Sequence, residues 1–221
     1  MFDITKLILK IPNFLTNEEC DELINEFKQR ENESHLEQSA NYETGEVEAS
    51  NFKVVSLNPY TNNFNLIKEK TRIAVNSYLD YLDQPKYFFT KSLKLSLKYS
   101  HSYRIMKYET GARIHPHSDF DSGTFGSISF NLNENYEGGI FSFFNNNYPV
   151  NLKKGDALIF PADFFWVHEV TPVTKGVRYS LNSFICSYSN IPRIQGNRIS
   201  KFLNEEYEIN TPQEELLGPY N

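Results

Sequence analysis

The stretch Tyr103-Arg104-Ile105-Met106-Lys107-Tyr108 opens the part of the chain that decides the fold. It is a short strand-like run, and similar runs follow it at close intervals with turn residues such as Gly138-Gly139 between them. Those runs are Phe125–Leu132, Gly139–Phe144, Ala157–Phe160, Phe165–Val170 and Arg178–Cys186. Upstream, Leu93, Leu95, Leu97 and Tyr99 alternate with polar residues, a period of two that predicts one more half-buried strand.

Two helices are predicted ahead of these strands. Thr16-Asn17-Glu18-Glu19 fits a capping box, and the apolar residues Cys20, Leu23, Ile24 and Phe27 follow at helical spacing. A second helix is expected from about Asn63 to Leu82. Between the helices, Gln29–Ser50 is polar with no clear period, which predicts a long surface loop and prompts the hypothesis of a lid.

Helices first and short strands afterwards predict an α+β fold, mainly β, with an antiparallel jelly-roll sandwich or barrel. The chain has 221 residues, a length that suits one large domain. We expect a single domain over residues 1–221, with helical support and a polar loop in 1–90 and a jelly-roll core in 91–188. A polar C-terminal extension, 189–221, is expected to hold one short helix near Ile199–Tyr207.

Charge and hydropathy exclude several classes of partner. The 22 Lys+Arg against 28 Asp+Glu give a net charge of −6, which argues against a nucleic-acid-binding protein. The longest apolar stretch, Ala157–Val167, is too short to cross a bilayer, and the N-terminus does not read as a signal peptide. The two cysteines, Cys20 and Cys186, are expected to be buried free thiols. We therefore expect a cytoplasmic protein without a membrane partner.

The segment His115-Pro116-His117-Ser118-Asp119 carries the candidate chemistry. In an extended chain His117 and Asp119 point to the same side, so that one imidazole and one carboxylate meet at a common point. His168 is the best candidate for a third ligand. Two histidines and one carboxylate on one face of an octahedral ion form the facial triad of non-heme Fe(II) oxygenases, which leaves positions open for co-substrate and dioxygen.

A second polar set lies in the last strand-like run. Arg178, Ser180 and Asn182 share one face of that strand, and Tyr179 and Leu181 take the other. If the polar face points inward, the buried guanidinium needs an anionic partner. No acid in the sequence is an obvious mate, so a ligand carboxylate is the simplest answer. A bidentate pair of this kind suits the distal end of a dicarboxylate such as 2-oxoglutarate.

The chain resembles the 2-oxoglutarate- and Fe(II)-dependent oxygenases, and within them the prolyl 4-hydroxylase branch. The resemblance covers about Tyr99 to Ile185 and rests on the HxD pair, on His168 and on Arg178 ten residues later. The other matching stretches are Tyr108–Gly111, Leu132–Gly139, Gly155–Pro161 and His168–Val173. The resemblance implies a double-stranded β-helix (jelly roll) with the N-terminal helices packed on one sheet.

The resemblance also implies the site residues. His117, Asp119 and His168 would bind Fe(II), and Arg178 would hold the distal carboxylate of 2-oxoglutarate with help from the Ser180 hydroxyl. Tyr108 matches a tyrosine that helps to bind the co-substrate. Asn131 stands where some relatives carry a second such tyrosine. The expected cofactors are Fe(II), 2-oxoglutarate as co-substrate, dioxygen and ascorbate.

The activity implied by the resemblance is hydroxylation of a C–H bond, with conversion of 2-oxoglutarate to succinate and CO₂. A prolyl residue in a peptide or protein is the expected target, and a rim formed by Tyr103, Tyr108, Phe120 and Trp166 is expected to receive it. Alternative targets are lysine, a free amino acid or a small metabolite, and another alternative is a jelly-roll binding module without catalysis. A cupin that binds metal through His115, His117 and His168 would leave Arg178 unexplained.

Overall fold

A computed structural model describes residues 3–40, 44, 46–84, 90–120, 124–187 and 214–215 of the chain. The described residues form three α-helices: α1 (Asn17–Gln29), α2 (Asn62–Asp83) and α3 (Thr90–Ser96). Two single-turn 3-10 helices, Ile4–Leu7 and Glu31–Glu33, precede and follow α1. No helix of the described residues is long and apolar enough to span a membrane.

The strands of the described residues pair antiparallel throughout. They are β1 (Leu9–Ile11), β2 (His35–Ala40), β3 (Val47–Ser56), β4 (Tyr99–Tyr108), β5 (Ile114–His117), β6 (Thr124–Asn131), β7 (Tyr136–Gly138), β8 (Phe141–Phe143), β9 (Tyr148–Val150), β10 (Ala157–Pro161), β11 (His168–Val170), β12 (Val173–Gly176), β13 (Arg178–Cys186) and β14 (Glu214–Glu215). A large sheet has the order β1-β10-β6-β13-β4-β3-β2, with β14 also paired to β4. A small sheet has the order β5-β11-β8-β9, and β12 pairs with β7.

The two long helices begin where the sequence predicts. The Thr16 hydroxyl accepts a hydrogen bond from the Glu19 N–H at 3.2 Å, and the Glu19 carboxylate accepts one from the Thr16 N–H at 2.8 Å. This capping box satisfies backbone donors at the start of α1 that have no partner inside the helix. The Thr61 hydroxyl caps α2 in a similar way through the Phe64 N–H.

The helices cover one face of the large sheet. The buried side chains of α1 and α2 share one core cluster with sheet residues such as Ile105, Phe130 and Leu181. The side chains that alternate with Leu181 along β13, among them Arg178 and Ser180, point to the opposite face and line a cavity. The predicted α+β fold, mainly β, with a jelly roll and helices packed on one sheet, is confirmed.

The strand predicted from Leu93 to Tyr99 is wrong, because the structure has α3 over most of this segment. Leu93 and Leu97 lie four residues apart, a spacing that suits one face of a helix as well as one face of a strand. The Leu97 N–H donates to the Leu93 carbonyl at 2.8 Å, and the Leu97 side chain is buried. The alternation seen in the sequence therefore fits both periods, and packing against α2 selects the helix.

The long loop predicted over Gln29–Ser50 is also wrong, since this segment contains β2 and the start of β3. The register of the hairpin shifts between Leu36 and Gln38, which interrupts the period of two that would reveal a strand. The large sheet therefore begins well before residue 91, where the sequence places the jelly-roll core. The helix predicted near Ile199–Tyr207 lies outside the described residues.

Candidate metal centre

His117 and His168 face each other across neighbouring strands of the small sheet. They are register partners in the β5–β11 pair, and their ring centroids lie 4.3 Å apart. Asp119 follows β5 directly. One carboxylate oxygen of Asp119 lies 3.4 Å from His117 Nε2, and the other lies 3.4 Å from His168 Nε2. The three ligand atoms all lie within 4.8 Å of one another, so the structure brings the three predicted ligands together.

Hydrogen bonds to the backbone orient both imidazole rings. His117 Nδ1 lies 2.9 Å from the His115 carbonyl oxygen, and His168 Nδ1 lies 3.0 Å from the Trp166 carbonyl oxygen. A carbonyl oxygen only accepts, so in the neutral form of each ring Nδ1 carries the proton and Nε2 keeps its lone pair. Both lone pairs are then available to a metal, an arrangement typical of metal-binding histidines.

The Asp119 carboxylate is held ionised. Burial raises its pKa, but the neighbouring His168 and His117 and a 2.6 Å hydrogen bond from the Ser127 hydroxyl outweigh burial and hold the pKa well below its usual range. Burial lowers the pKa of His168 to about 4, so this imidazole is neutral at pH 7. A carboxylate and a neutral imidazole are the protonation states that bind metal.

Arg178 lies on the floor of the same cavity and is 1% exposed. Its Nη1 donates to the Ser180 hydroxyl at 3.1 Å, and its guanidinium carbon lies 4.9 Å from the centroid of the Tyr108 ring. The Nε atom is buried without a hydrogen-bond partner, and Arg178 takes part in none of the ion pairs within 4.0 Å that the described residues form. A buried cation without an anionic partner is costly, so this arrangement points to an anionic ligand.

Tyr108 and Ser180 lie beside Arg178 as the sequence predicts. Tyr108 is fully buried, stacks on Phe52 at 5.0 Å and directs its hydroxyl to the Met106 sulfur at 3.2 Å. Burial raises the pKa of Tyr108, so the phenol keeps its proton and can donate a hydrogen bond. Phe52 was not predicted as a site residue, because it lies in β3, a strand that the sequence analysis did not predict.

Asn131 does not fit the role expected for it. Its amide nitrogen donates to the carbonyl oxygens of Asn133 (2.7 Å) and Leu152 (3.4 Å), and its amide oxygen accepts from the Tyr136 hydroxyl. Both amide protons are therefore engaged, and Asn131 is not among the residues that line the cavity with Arg178. Asn131 therefore holds the segment that follows β6 and has no amide donor left for a co-substrate.

Other expectations for the neighbourhood need correction. The His115 imidazole is not part of the ligand cluster, so the cupin alternative has no support from the geometry. Of the expected aromatic rim, Tyr103, Tyr108 and Trp166 are buried, and only Phe120 is exposed. The Trp166 ring packs on Phe143 and Phe144, which makes it a core residue.

The three ligands and Arg178 line one cavity of about 340 Å³ between the two sheets. The cavity wall also contains Glu37, Arg104 and Ser127, which sequence reasoning did not assign to the site. Ser127 shares a face with Ser129 in the alternating run Phe125–Leu132, and this pattern is a signal that could have found it. Glu37 carries no such signal, since its strand was read as a loop.

Residues 103–186 match the family described as the 2OG-Fe(II) oxygenase superfamily. This part of the chain is therefore similar to that superfamily. The matched residues include the three candidate ligands, Arg178, Tyr108 and Ser180. A sequence comparison with curated proteins finds no match.

Solved structures similar to the chain include several prolyl hydroxylases, and the chain is prolyl 4-hydroxylase-like in fold. The viral collagen prolyl hydroxylase of Paramecium bursaria Chlorella virus-1, in complex with 2-oxoglutarate, is 20% identical with a TM-score of 0.59 over 82% of this chain and 96% of its own. A prolyl-4-hydroxylase of Pseudomonas putida is 21% identical with a TM-score of 0.55 over 82% and 93%. A Trichoplax adhaerens prolyl hydroxylase, in complex with a hypoxia-inducible factor peptide, is 17% identical with a TM-score of 0.62 over 86% and 87%.

The residues present fit the cofactors that the superfamily implies. Two imidazole nitrogens with available lone pairs and one ionised carboxylate form the donor set of a non-heme Fe(II) site. The buried Arg178 Nε has no hydrogen-bond partner among the described residues, which independently indicates that this cavity binds an anion. These two observations together fit Fe(II) and a 2-oxo dicarboxylate in one cavity.

Proposed function

We propose that the chain is a 2-oxoglutarate-dependent oxygenase that hydroxylates a prolyl residue in a peptide or protein. The observation that carries the proposal is the shared cavity, in which a two-histidine, one-carboxylate cluster faces a buried arginine that has no carboxylate partner among the described residues. A site that bound metal alone would have no use for this guanidinium. The prolyl target is supported by the structures that the fold resembles, which are prolyl hydroxylases.

Each site residue has a distinct role in this proposal. His117, Asp119 and His168 hold Fe(II), which when bound supplies the oxidation of 2-oxoglutarate and of the substrate C–H bond by dioxygen. Arg178 pairs with the distal carboxylate, and the Ser180 hydroxyl keeps the guanidinium in place. The Tyr108 ring packs against the Arg178 guanidinium. Because both side chains are buried, water is excluded from this end of the cavity.

We further propose that residues 1–221 act as one domain. The support is the shared core, since α1 and α2 have no core of their own and bury their apolar faces on the large sheet. A peptide partner is supported by the Trichoplax relative, whose structure contains a peptide. A need for ascorbate and a cytoplasmic location stay predictions.

The proposal is tested by mass spectrometry of a proline-containing peptide incubated with Fe(II), dioxygen and 2-oxoglutarate. We expect a gain of one oxygen together with succinate release. Asp119→Ala removes the carboxylate ligand and should abolish both products. Arg178→Lys keeps a charge but loses the bidentate fork, so it should mainly raise the KM for 2-oxoglutarate. Succinate release that persists in Asp119→Ala, or an unchanged KM in Arg178→Lys, would contradict the assigned roles.

A further inference from the structure

An ion pair that the proposed chemistry does not use lies in the wall of the cavity. The Arg104 guanidinium on β4 pairs with the Glu37 carboxylate on β2, and both side chains line the cavity that holds the metal cluster. The side chains are 17% and 29% exposed, so both remain in contact with solvent. Ion pairs of this exposure add little to stability, which directs attention to a role in binding.

Several contacts hold Arg104 in one place. Its Nε donates to the Asn182 amide oxygen at 3.3 Å, and its guanidinium carbon lies 5.2 Å from the centroid of the Phe184 ring. Glu37 lies at an irregular point of its strand, since the β2–β3 register shifts between Leu36 and Gln38. The Glu37 N–H donates to the Ser50 hydroxyl at 3.0 Å. Bulges of this kind commonly re-aim a side chain next to a site.

The sheet register separates Arg104 from the co-substrate residues. Tyr108 pairs with Arg178 across β4 and β13, and four residues further along β4, Arg104 pairs with Asn182. Four residues of strand span about 13 Å, whereas a five-carbon dicarboxylate spans roughly 5 Å. Because Glu37, Asn182 and Phe184 hold Arg104 at its own position, the two arginines serve different ligands.

The chemistry of the pair indicates what it binds. A guanidinium has five N–H donors, of which Glu37 and Asn182 use only part, and Glu37 keeps a second carboxylate oxygen as an acceptor. The pair carries no net charge, so it suits a neutral group that has both a donor and an acceptor. A peptide unit of an extended chain has both.

We infer that Arg104 and Glu37 bind the main chain of the peptide substrate next to the residue that is hydroxylated. Arg104 donates to a peptide carbonyl oxygen, and Glu37 accepts from the N–H of a neighbouring residue. The inference rests on the proposed function, since it takes the substrate to be a peptide. It assigns specificity for a peptide over a free amino acid to two residues outside the metal and co-substrate sites.

Calorimetric titration without oxygen tests the inference, because Fe(II) and 2-oxoglutarate are then bound and no turnover occurs. The probe is an N-acetylated, C-amidated octapeptide of alternating Pro and Ala, which has carbonyl oxygens, N–H groups and no charge. Arg104→Met should weaken its binding roughly tenfold to a hundredfold, the loss of a hydrogen bond to a charged group. Glu37→Gln, on the edge strand β2, keeps an oxygen that can accept a hydrogen bond and loses only the charge. It should therefore weaken binding of the octapeptide by a smaller factor than Arg104→Met. Both variants should keep the wild-type affinity for 2-oxoglutarate, which a misfolded protein would lose.

The matched control is the exposed Arg72–Glu69 pair on α2, outside the cavity. Arg72→Met and Glu69→Gln should leave peptide binding unchanged. Wild-type affinity in Arg104→Met and Glu37→Gln would overturn the inference and leave the proposed function intact if the wild type still hydroxylates the peptide. If the wild type binds free L-proline but not the blocked peptide, the peptide assignment fails for the inference and the proposed function alike.

Discussion

At the residue scale, the hydrogen bonds around the metal cluster matter as much as its three ligands. The two imidazoles are oriented by backbone carbonyl oxygens, which no side-chain substitution removes. The Asp119 carboxylate depends instead on one side chain, the Ser127 hydroxyl on β6. Ser127 belongs to the large sheet and His168 to the small one, so Asp119 contacts both sheets through these partners. The position of the carboxylate is therefore sensitive to a single hydroxyl.

Replacing Ser127 by Ala tests this dependence. The variant removes the 2.6 Å hydrogen bond to Asp119, and the freed carboxylate can rotate away from the ligand position. Loss of such an outer partner costs about tenfold to a hundredfold in metal affinity. The measurement is titration of the metal-free protein with Fe(II) under anaerobic conditions. Ser129→Ala is the control, since Ser129 faces the same cavity from the same strand without a hydrogen bond to Asp119. Equal affinities in the two variants would argue against the role of Ser127.

The sequence predicted the residues whose chemistry is unusual and missed those whose role depends on position. His117, Asp119 and Arg178 form a pattern that few other functions explain, and the structure brings them into one cavity. Asn131 was assigned by its place in the pattern, but its amide is used by neighbouring backbone carbonyls. Which hydrogen bonds an amide makes depends on chain segments far away in sequence, so the sequence alone could not settle this residue.

At the element scale, the tight turn between β7 and β8 packs against the Arg178 side chain. Gly139 in this turn has φ +59°, and a Cβ atom there would lie 3.0 Å from Arg178 Cδ and 3.0 Å from Val173 Cγ2. The turn therefore sets the space in which the arginine side chain lies. A glycine at this position is required both by the backbone conformation and by the closeness of Arg178.

Gly139→Ala should consequently weaken the binding of 2-oxoglutarate as well as stability. The positive φ costs roughly 1–2 kcal/mol for alanine, and the added methyl group displaces the Arg178 side chain. We expect the Kd for 2-oxoglutarate to rise about tenfold or more, since small displacements of a binding group have large effects. Gly111→Ala separates the two causes, because Gly111 has φ +91° and nothing within 4 Å of a Cβ atom. That control should lose stability and keep its affinity; a similar loss of affinity in both would refute a specific effect on Arg178.

The elements that the sequence predicted are those with one clear period. α1 and α2 have capping residues and apolar spacing that fit only a helix, and β13 was predicted at its observed bounds. α3 failed because Leu93 and Leu97 suit two periods, and β2 failed because a register shift breaks its alternation. In both cases the deciding contacts come from the neighbouring element, α2 for the helix and β3 for the strand, and a period read within one segment does not show them.

At the scale of the whole molecule, Asp156 joins the N-terminal segment to the sheets. Its carboxylate accepts from the Asn13 N–H at 3.0 Å and from the Lys153 N–H at 2.9 Å, and it pairs with Lys10 at 3.0 Å. Its backbone carbonyl also accepts from the Asn131 N–H at the end of β6. The residue is 1% exposed, so the segment that leads into α1 is attached at a buried charge.

Asp156→Asn should therefore destabilise the fold in a way that depends on pH. Burial raises the pKa of Asp156, but hydrogen bonds from Lys153, Asn13 and Lys10 outweigh it and lower the pKa below that of the unfolded chain. The carboxylate contributes stability above the unfolded pKa of about 3.9, and the contribution is lost as the pH falls through the folded pKa.

Urea unfolding of the wild type and of Asp156→Asn measures this contribution. Near pH 7 the variant should lose about 1.5–3 kcal/mol, the value of a hydrogen bond to a charged group. The difference should begin to shrink below about pH 4, where the carboxyl of the unfolded chain takes up a proton. It should be lost once the pH falls through the lower folded pKa, because the wild-type carboxyl is then protonated and resembles the amide. Asp80→Asn is the matched control, since Asp80 forms an ion pair with Lys94 on the exposed side of α2 and should contribute less than about 1 kcal/mol. A difference between wild type and Asp156→Asn that stays constant from pH 7 to pH 3 would show that shape, and not charge, makes Asp156 stabilising.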